Sequence, residues 1–213
     1  MKDTFDPPAI DPQNAMDVVQ GRSAERKRLR AARLDVTAET RMAAAKVIAT
    51  HLDALIAKHL GNPSGHVVSG YWPIKAEPDL RFWMESLHVR GARVALPVVE
   101  IPGTPLAFRA WHPGMRMERG HWNIPVPPAD ALRLVPEVAL APLVGWDGVG
   151  YRLGYGGGYF DRTLAALSPK PFVIGVGLHS ARLATIFPQP HDVRLDAIVT
   201  EEGIQPATAA LSP

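Results

Sequence analysis

The segment YRLGYGGGYFDRTL, residues 151–164, places four glycines within 154–158, between Arg152 on one side and the pair Asp161-Arg162 on the other. Glycine loses more backbone freedom on folding than any other residue, so such a cluster marks a sharp turn or a backbone that something must approach closely. Successive amides unobstructed by side chains form an anion-binding nest, strongest where they open a helix. Arg152 and Arg162 suit a phosphate, and Asp161 suits a Mg²⁺ ion carried on phosphate oxygens. The segment is not a dinucleotide fingerprint, because Tyr159 stands where its last glycine belongs, and it is not a Walker loop, because no Gly-Lys-Ser/Thr follows. A plain glycine-rich connection, with Asp161 as an ordinary acid in a first helical turn, is the competing explanation.

The elements around the loop decide where it sits. Residues 1–20, with prolines at 7, 8 and 12, read as a disordered tail. Ser23 is expected to cap a basic helix reaching Leu34, and Thr37 a second helix with Ile48, Leu52, Leu55 and Ile56 on its buried face. Strands are expected over 66–72, 93–99, 106–111, 137–146, 172–178 and 196–200, with helices over 78–91 and just after the glycines. Alternation of this kind predicts a single α/β domain over 21–205, with a largely parallel central sheet flanked by helices, an N-terminal helical segment and a C-terminal tail over 206–213. The loop then follows a strand and precedes a helix, where open α/β sheets bind ligands.

Composition narrows the chemistry. The 213 residues contain no cysteine, which removes disulfides, thiolate metal sites and a cysteine nucleophile. No apolar run is long enough for a membrane span and no signal peptide is evident, so the chain reads as cytoplasmic. The pI near 9.0 rests on a net charge of only +2. The run RSAERKRLRAAR (22–33) therefore suits a solvated helix face or one bound phosphate better than a nucleic-acid groove.

The block GWDGVGYRLGYGGGYFDRTL resembles the signature of the 5-formyltetrahydrofolate cyclo-ligase (5,10-methenyltetrahydrofolate synthetase) family. Five further blocks follow the family in order: ERKRLRAAR, SGYWPIKAEPDL, RVALPVV, HWNIPVPP and IFPQPHDVRLDAIVTEEG. The resemblance implies an enzyme that closes 5-formyltetrahydrofolate to 5,10-methenyltetrahydrofolate with ATP and Mg²⁺. The formyl oxygen is phosphorylated, N10 attacks the activated carbon, and ADP and phosphate are released. It implies ATP contacts from Arg26, Lys27 and Arg30 and from the run Arg152, Leu153, Gly154, Tyr155, Gly156, Gly157, Gly158, Tyr159 and Phe160. Folate is implied at Trp72, Glu77, Trp122 and Tyr159, metal at Asp161 and Asp192, and catalysis at Arg152, Tyr159 and Asp161. The partner is then a small-molecule folate, with no nucleic acid and no membrane; the sequence does not distinguish monomer from dimer. Gly157 replaces a lysine found in some members, and no glutamine stands near Ala181-Arg182 where one is expected.

Spacing alone favours a blander role for Glu77, as an exposed acid before a helix, and a core tryptophan that needs no ligand is the alternative for Trp122. Rival functions are a diverged member that binds ATP but acts on another substrate, a nucleic-acid binder using the basic helix, and a sugar-phosphate enzyme on a similar scaffold.

Overall fold

The computed structural model describes residues 10–12 and 14–206. Two helices come first, α1 (Ala15–Asp35) and α2 (Ala38–Leu60). They are followed by β1 (Val67–Ser69), α3 (Arg81–Val89), β2 (Arg93–Val98), β3 (Ala107–Ala110) and the small hairpin β4 (Glu118–Arg119) and β5 (Pro125–Val126). Next come β6 (Val138–Pro142), β7 (Gly145–Asp147), β8 (Arg152–Leu153) and α4 (Tyr159–Ala166). The described residues end with β9 (Phe172–Val176), β10 (Arg182–Leu183), β11 (Ala197–Thr200) and β12 (Gly203–Pro206).

Among the described residues the main sheet has seven strands in the order β12-β11-β9-β6-β1-β2-β3. The inner strands β2, β1, β6, β9 and β11 run parallel, while β3 and β12 pair antiparallel at the two edges. Taken in sequence, the parallel strands lie in the order 2-1-3-4-5, so the winding reverses between β1 and β6. That reversal leaves a crevice at the carboxyl ends of these two strands.

The two sheet faces bury different helices. Ile48, Leu52 and Ile56 of α2 and Met84 and Leu87 of α3 pack with Val68, Val94, Leu140, Ile174 and Val199. Leu164 of α4 packs with Ala141, Val173 and Ile198, whose side chains alternate to the opposite face. The α/β architecture expected from the sequence is therefore present, with helices on both sides.

Three boundaries differ from expectation. The first helix starts at Ala15, not after Ser23: the Asn14 side chain accepts from the Met16 and Asp17 amides at 3.0 and 3.4 Å. No proline lies between Asn14 and Ser23 to stop the helix, and Val18 is buried. Residues 15–20 of the expected tail are thus helical, and most of the rest of that tail lies outside the described residues. The strand expected over 137–146 is two strands in two sheets, broken at Leu143-Val144 so that β7 can pair with β8 and β10. The edge strand β12 was not expected; Pro206 closes it, and 207–213 lie outside the described residues.

Candidate active site

A cavity of about 430 Å³ opens at the reversal point. Tyr71 and Trp72 beyond β1, Leu96 and Val99 around the end of β2, and Pro142 at the end of β6 line it, together with the glycine loop and the first turns of α1.

The loop has the backbone geometry that an anion cradle requires. Gly156 and Gly158 have φ of 97° and 62°, the left-handed region that glycine enters without penalty. Gly158 is the N-cap of α4 and makes no side-chain cap hydrogen bond, so no side chain occupies the amides that open the helix. A Cβ at Gly158 would lie 2.8 Å from Arg162 Nη1, and one at Gly157 would lie 3.0 Å from Tyr159 and 3.3 Å from Trp122. A lysine at 157 would need the Tyr159 and Trp122 rings to yield by a few tenths of an ångström; the position is glycine here, and cationic charge comes from elsewhere.

That charge comes from Arg152 and from one face of α1. Arg152 is 6% exposed and forms a 3.0 Å ion pair with Asp161. Burial pulls its guanidinium below the ordinary arginine value, with Asp161 opposing. Arg26 lines the cavity and donates from Nε to Gly154 O at 2.8 Å. Lys27 and Arg30, expected beside it, do not line the cavity. Lys27 is exposed, and Arg30 lies over the Tyr155 ring at 5.5 Å. Helical geometry explains Lys27: each residue turns about 100°, so it points away from the face that holds Arg22, Arg26, Arg30 and Arg33, whereas Arg30 shares that face and is taken up by the Tyr155 ring. Arg22, which the sequence reading passed over, lines the cavity and grips Asp192 with bonds of 2.7 and 3.0 Å. Its i, i+4 spacing to Arg26, on the helix side that buries Val18 and Leu29, was the available signal.

The two carboxylates expected at a metal both face this cavity. Asp161 Oδ1 accepts from Val193 N at 3.1 Å, which sets it beside Asp192. Burial works to raise the Asp192 carboxyl, but bonds from Arg22 and from Gln189 N outweigh it and hold the group below the ordinary range. Among the described residues no cluster of three or more metal-ligating side chains exists. Two carboxylates lining the same cavity as the glycine loop nevertheless fit Mg²⁺, which takes one or two protein carboxylates and completes its shell with phosphate oxygens and water. Asp196 lies outside the lining and accepts from Val173 N, a structural role. His191 is exposed at the cavity rim.

Across the cavity stands Glu77, which is not the exposed acid that spacing favours but only 4% exposed. Lys75 and Ala76, at φ 47° and 62°, fold the chain back so that Glu77 Oε2 accepts from Ile74 N at 2.9 Å. Oε1 accepts from the Tyr155 hydroxyl at 3.0 Å. Burial raises the Glu77 carboxyl above its ordinary value, against the pull of Ile74 N–H, Arg33 and Tyr155.

Trp122 is the reverse case: 59% exposed, held at φ 54°, with Tyr159 edge-on at 5.5 Å. A bulky residue in the left-handed region stores strain, and such strain gathers at ligand sites. Trp72, Tyr159 and Phe160 also line the cavity. Leu153 does not; it is buried with Leu29, Val144 and Ile186, so only its backbone belongs to the loop. Ala181 and Arg182 lie outside the lining, and the Arg182 guanidinium sits 5.6 Å from the Trp146 ring centroid.

A family model described as the 5-formyltetrahydrofolate cyclo-ligase family matches residues 18–201. The chain is 35% identical over 146 residues to a 5-formyltetrahydrofolate cyclo-ligase of Mycolicibacterium smegmatis, covering 64% of this chain and 74% of that protein. It is 32% identical over 142 residues to one from Escherichia coli, with coverages of 63% and 78%. A solved 5,10-methenyltetrahydrofolate synthetase from Mycoplasma pneumoniae matches with a TM-score of 0.67 at 25% identity, over 84% of this chain and 98% of that one. The Aquifex aeolicus synthetase structure matches with a TM-score of 0.72 at 24% identity, over 90% and 95%, and bears on the fold alone.

Proposed function

The chain belongs to the 5-formyltetrahydrofolate cyclo-ligase family, and we propose that it closes 5-formyltetrahydrofolate to 5,10-methenyltetrahydrofolate with ATP and Mg²⁺. The formyl group is an amide and a poor electrophile. Phosphorylation of its oxygen makes a leaving group, after which N10 attacks the carbon and phosphate departs with ADP. One observation carries the reading: the uncapped glycine-rich helix start and the buried carboxylate of Glu77 face the same cavity, with Asp161 and Asp192 at its wall. An anion cradle alone suits many phosphate ligands. A buried, doubly oriented carboxylate opposite it suits a flat heterocycle with paired N–H donors, which is what a pterin presents.

Arg152, Arg26 and the loop amides receive the phosphates and orient the γ-phosphoryl group toward the formyl oxygen. Asp161 and Asp192 hold Mg²⁺, which neutralises charge on the phosphate oxygens. Trp72 and Trp122 flank the folate ring and Tyr159 stands between folate and loop. The test is a spectrophotometric assay for methenyltetrahydrofolate with 5-formyltetrahydrofolate, ATP and Mg²⁺, each omitted in turn. Product only when all three are present supports the reading; ATP binding with no product points to a different substrate.

A further inference from the structure

Tyr155 occupies the variable position of the Gly-x-Gly stretch, and its side chain leaves the loop to reach the other side of the cavity. Its ring lies among three cations, with Arg30, Arg33 and Lys75 at 5.5, 5.8 and 5.4 Å from the centroid. The hydroxyl donates to Glu77 Oε1 at 3.0 Å and accepts from Arg33 Nη2. Arg33 is 7% exposed and is itself fixed by donating to Leu143 O and Lys75 O at 3.2 and 3.1 Å. One residue earlier, Gly154 O accepts from Arg26. Adjacent loop residues are thus both tied to α1, the Gly154 carbonyl through Arg26 and the Tyr155 phenol through Arg33, and the phenol reaches on to the Glu77 carboxylate.

We propose that Tyr155 is a positioning residue that couples the two ligand sites of this chain, so that filling the glycine loop fixes the orientation of Glu77 and filling the Glu77 side fixes the loop. The inference rests on the proposed function, in which the loop takes phosphates and Glu77 takes the folate ring. Glu77 is oriented by two donors, Ile74 N and the Tyr155 hydroxyl. The second moves with the loop, because a single residue separates Tyr155 from Gly157. A loop drawn onto a triphosphate loses the freedom to release that hydroxyl, and a Glu77 engaged by ligand holds the loop in return. Coupling between binding sites is reciprocal, so the two ligands tighten each other by the same factor.

Phenylalanine at 155 keeps the ring among its three cations and removes only the hydroxyl. The experiment titrates 5-formyltetrahydrofolate with and without a saturating non-hydrolysable ATP analogue and Mg²⁺, and then the analogue with and without folate, in wild type and Tyr155→Phe. Wild type is expected to show mutual tightening of roughly fivefold or more, the lower end of ordinary site coupling. Tyr155→Phe removes one of the two donors to Glu77, so folate alone binds more weakly, and the factor by which each ligand tightens the other falls to near unity. A residue serving only to hold the fold would weaken folate equally in both conditions and leave the factor unchanged, which overturns the inference. Wild-type protein that binds both ligands independently overturns it as well. Wild-type protein that binds neither ligand overturns the functional reading, and this inference with it. A thermal melt of Tyr155→Phe confirms that the variant titrated is folded.

Discussion

Among the described residues three carboxylates face the cavity, and their partners separate their roles. Asp161 is paired with buried Arg152 and anchored by Val193 N, so it is fixed in place and still able to share an oxygen with a cation. Asp161→Asn is expected to lower kcat by about 10²–10³, the cost of losing one oriented charge at a developing transition state, while folate affinity stays within about twofold. Steady-state kinetics beside equilibrium folate titration reads both. Glu77 has the opposite character, because burial raises its carboxyl. A raised acid binds more protons in the native state than in the unfolded one. Its contribution to stability is therefore full below the ordinary carboxylate range and is lost as pH rises through the elevated value. A folate ring presenting N–H donors needs the ionised form, so binding at acidic pH must expel a proton. Calorimetric titration in buffers of different ionisation enthalpy should show proton release that fades as pH rises and is absent in Glu77→Gln. Release that persists in the variant would assign the proton to another group. Glu77 also shows a limit of sequence reading at this scale: what buries it is a turn through two left-handed residues, Lys75 and Ala76, neither of which has a type that announces such a turn.

At the scale of elements, what was legible followed from periodicity and caps. α2 begins after Thr37, whose side chain accepts from Thr40 N, and ends at Gly61 as its sequence indicates. The inner strands lie where the apolar runs are, because strands covered on both faces admit little else. The misses have a common physical origin: they depend on partners distant in sequence. α1 starts early because Val18 finds a buried place, and the run 137–146 breaks because β7 pairs with β8 and β10. The turn before Glu77 belongs to the same class and gives a direct test. Ala76 at φ 62° carries the left-handed penalty of about 1–2 kcal/mol, partly offset by the entropy glycine would lose on folding. Ala76→Gly is therefore expected to raise stability by about 0.5–1 kcal/mol in denaturant unfolding, with folate affinity unchanged. A loss of stability would mean that the turn is held open by contacts of the alanine methyl. The opposite element, α1, is held by polar pairs: Arg22→Ala leaves Asp192 nearly buried without its cation and should cost about 2–3 kcal/mol, below the range for a fully dry pair because the cavity admits water.

For the molecule as a whole, the helices differ in how they are fastened. α2 buries Ala44, Ala45, Ile48, Ala49, Leu52, Leu55 and Ile56 against the sheet, whereas α1 buries only Val18, Leu29 and the charged Arg33. What docks α1 is the row Arg22, Arg26 and Arg33, reaching Asp192, Gly154 O, Tyr155, Leu143 O and Lys75 O. Every one of those partners belongs to the cavity wall or lies beside it. The basic run that raises the pI is thus turned inward on one face, and the helix that carries it forms a wall of the site. Elements with few buried apolar contacts open at a lower free energy than the core, and a ligand bound to the closed form alone raises that cost. Amide exchange is therefore expected to be faster across residues 15–35 than across 38–60 in the free protein. Addition of a non-hydrolysable ATP analogue with Mg²⁺ should slow α1 and the glycine loop together while leaving α2 nearly unchanged. Equal protection of α1 and α2 in the free protein would show that the arginine contacts fasten the helix as firmly as a hydrophobic face. The nucleotide would then meet a wall that is closed before it binds.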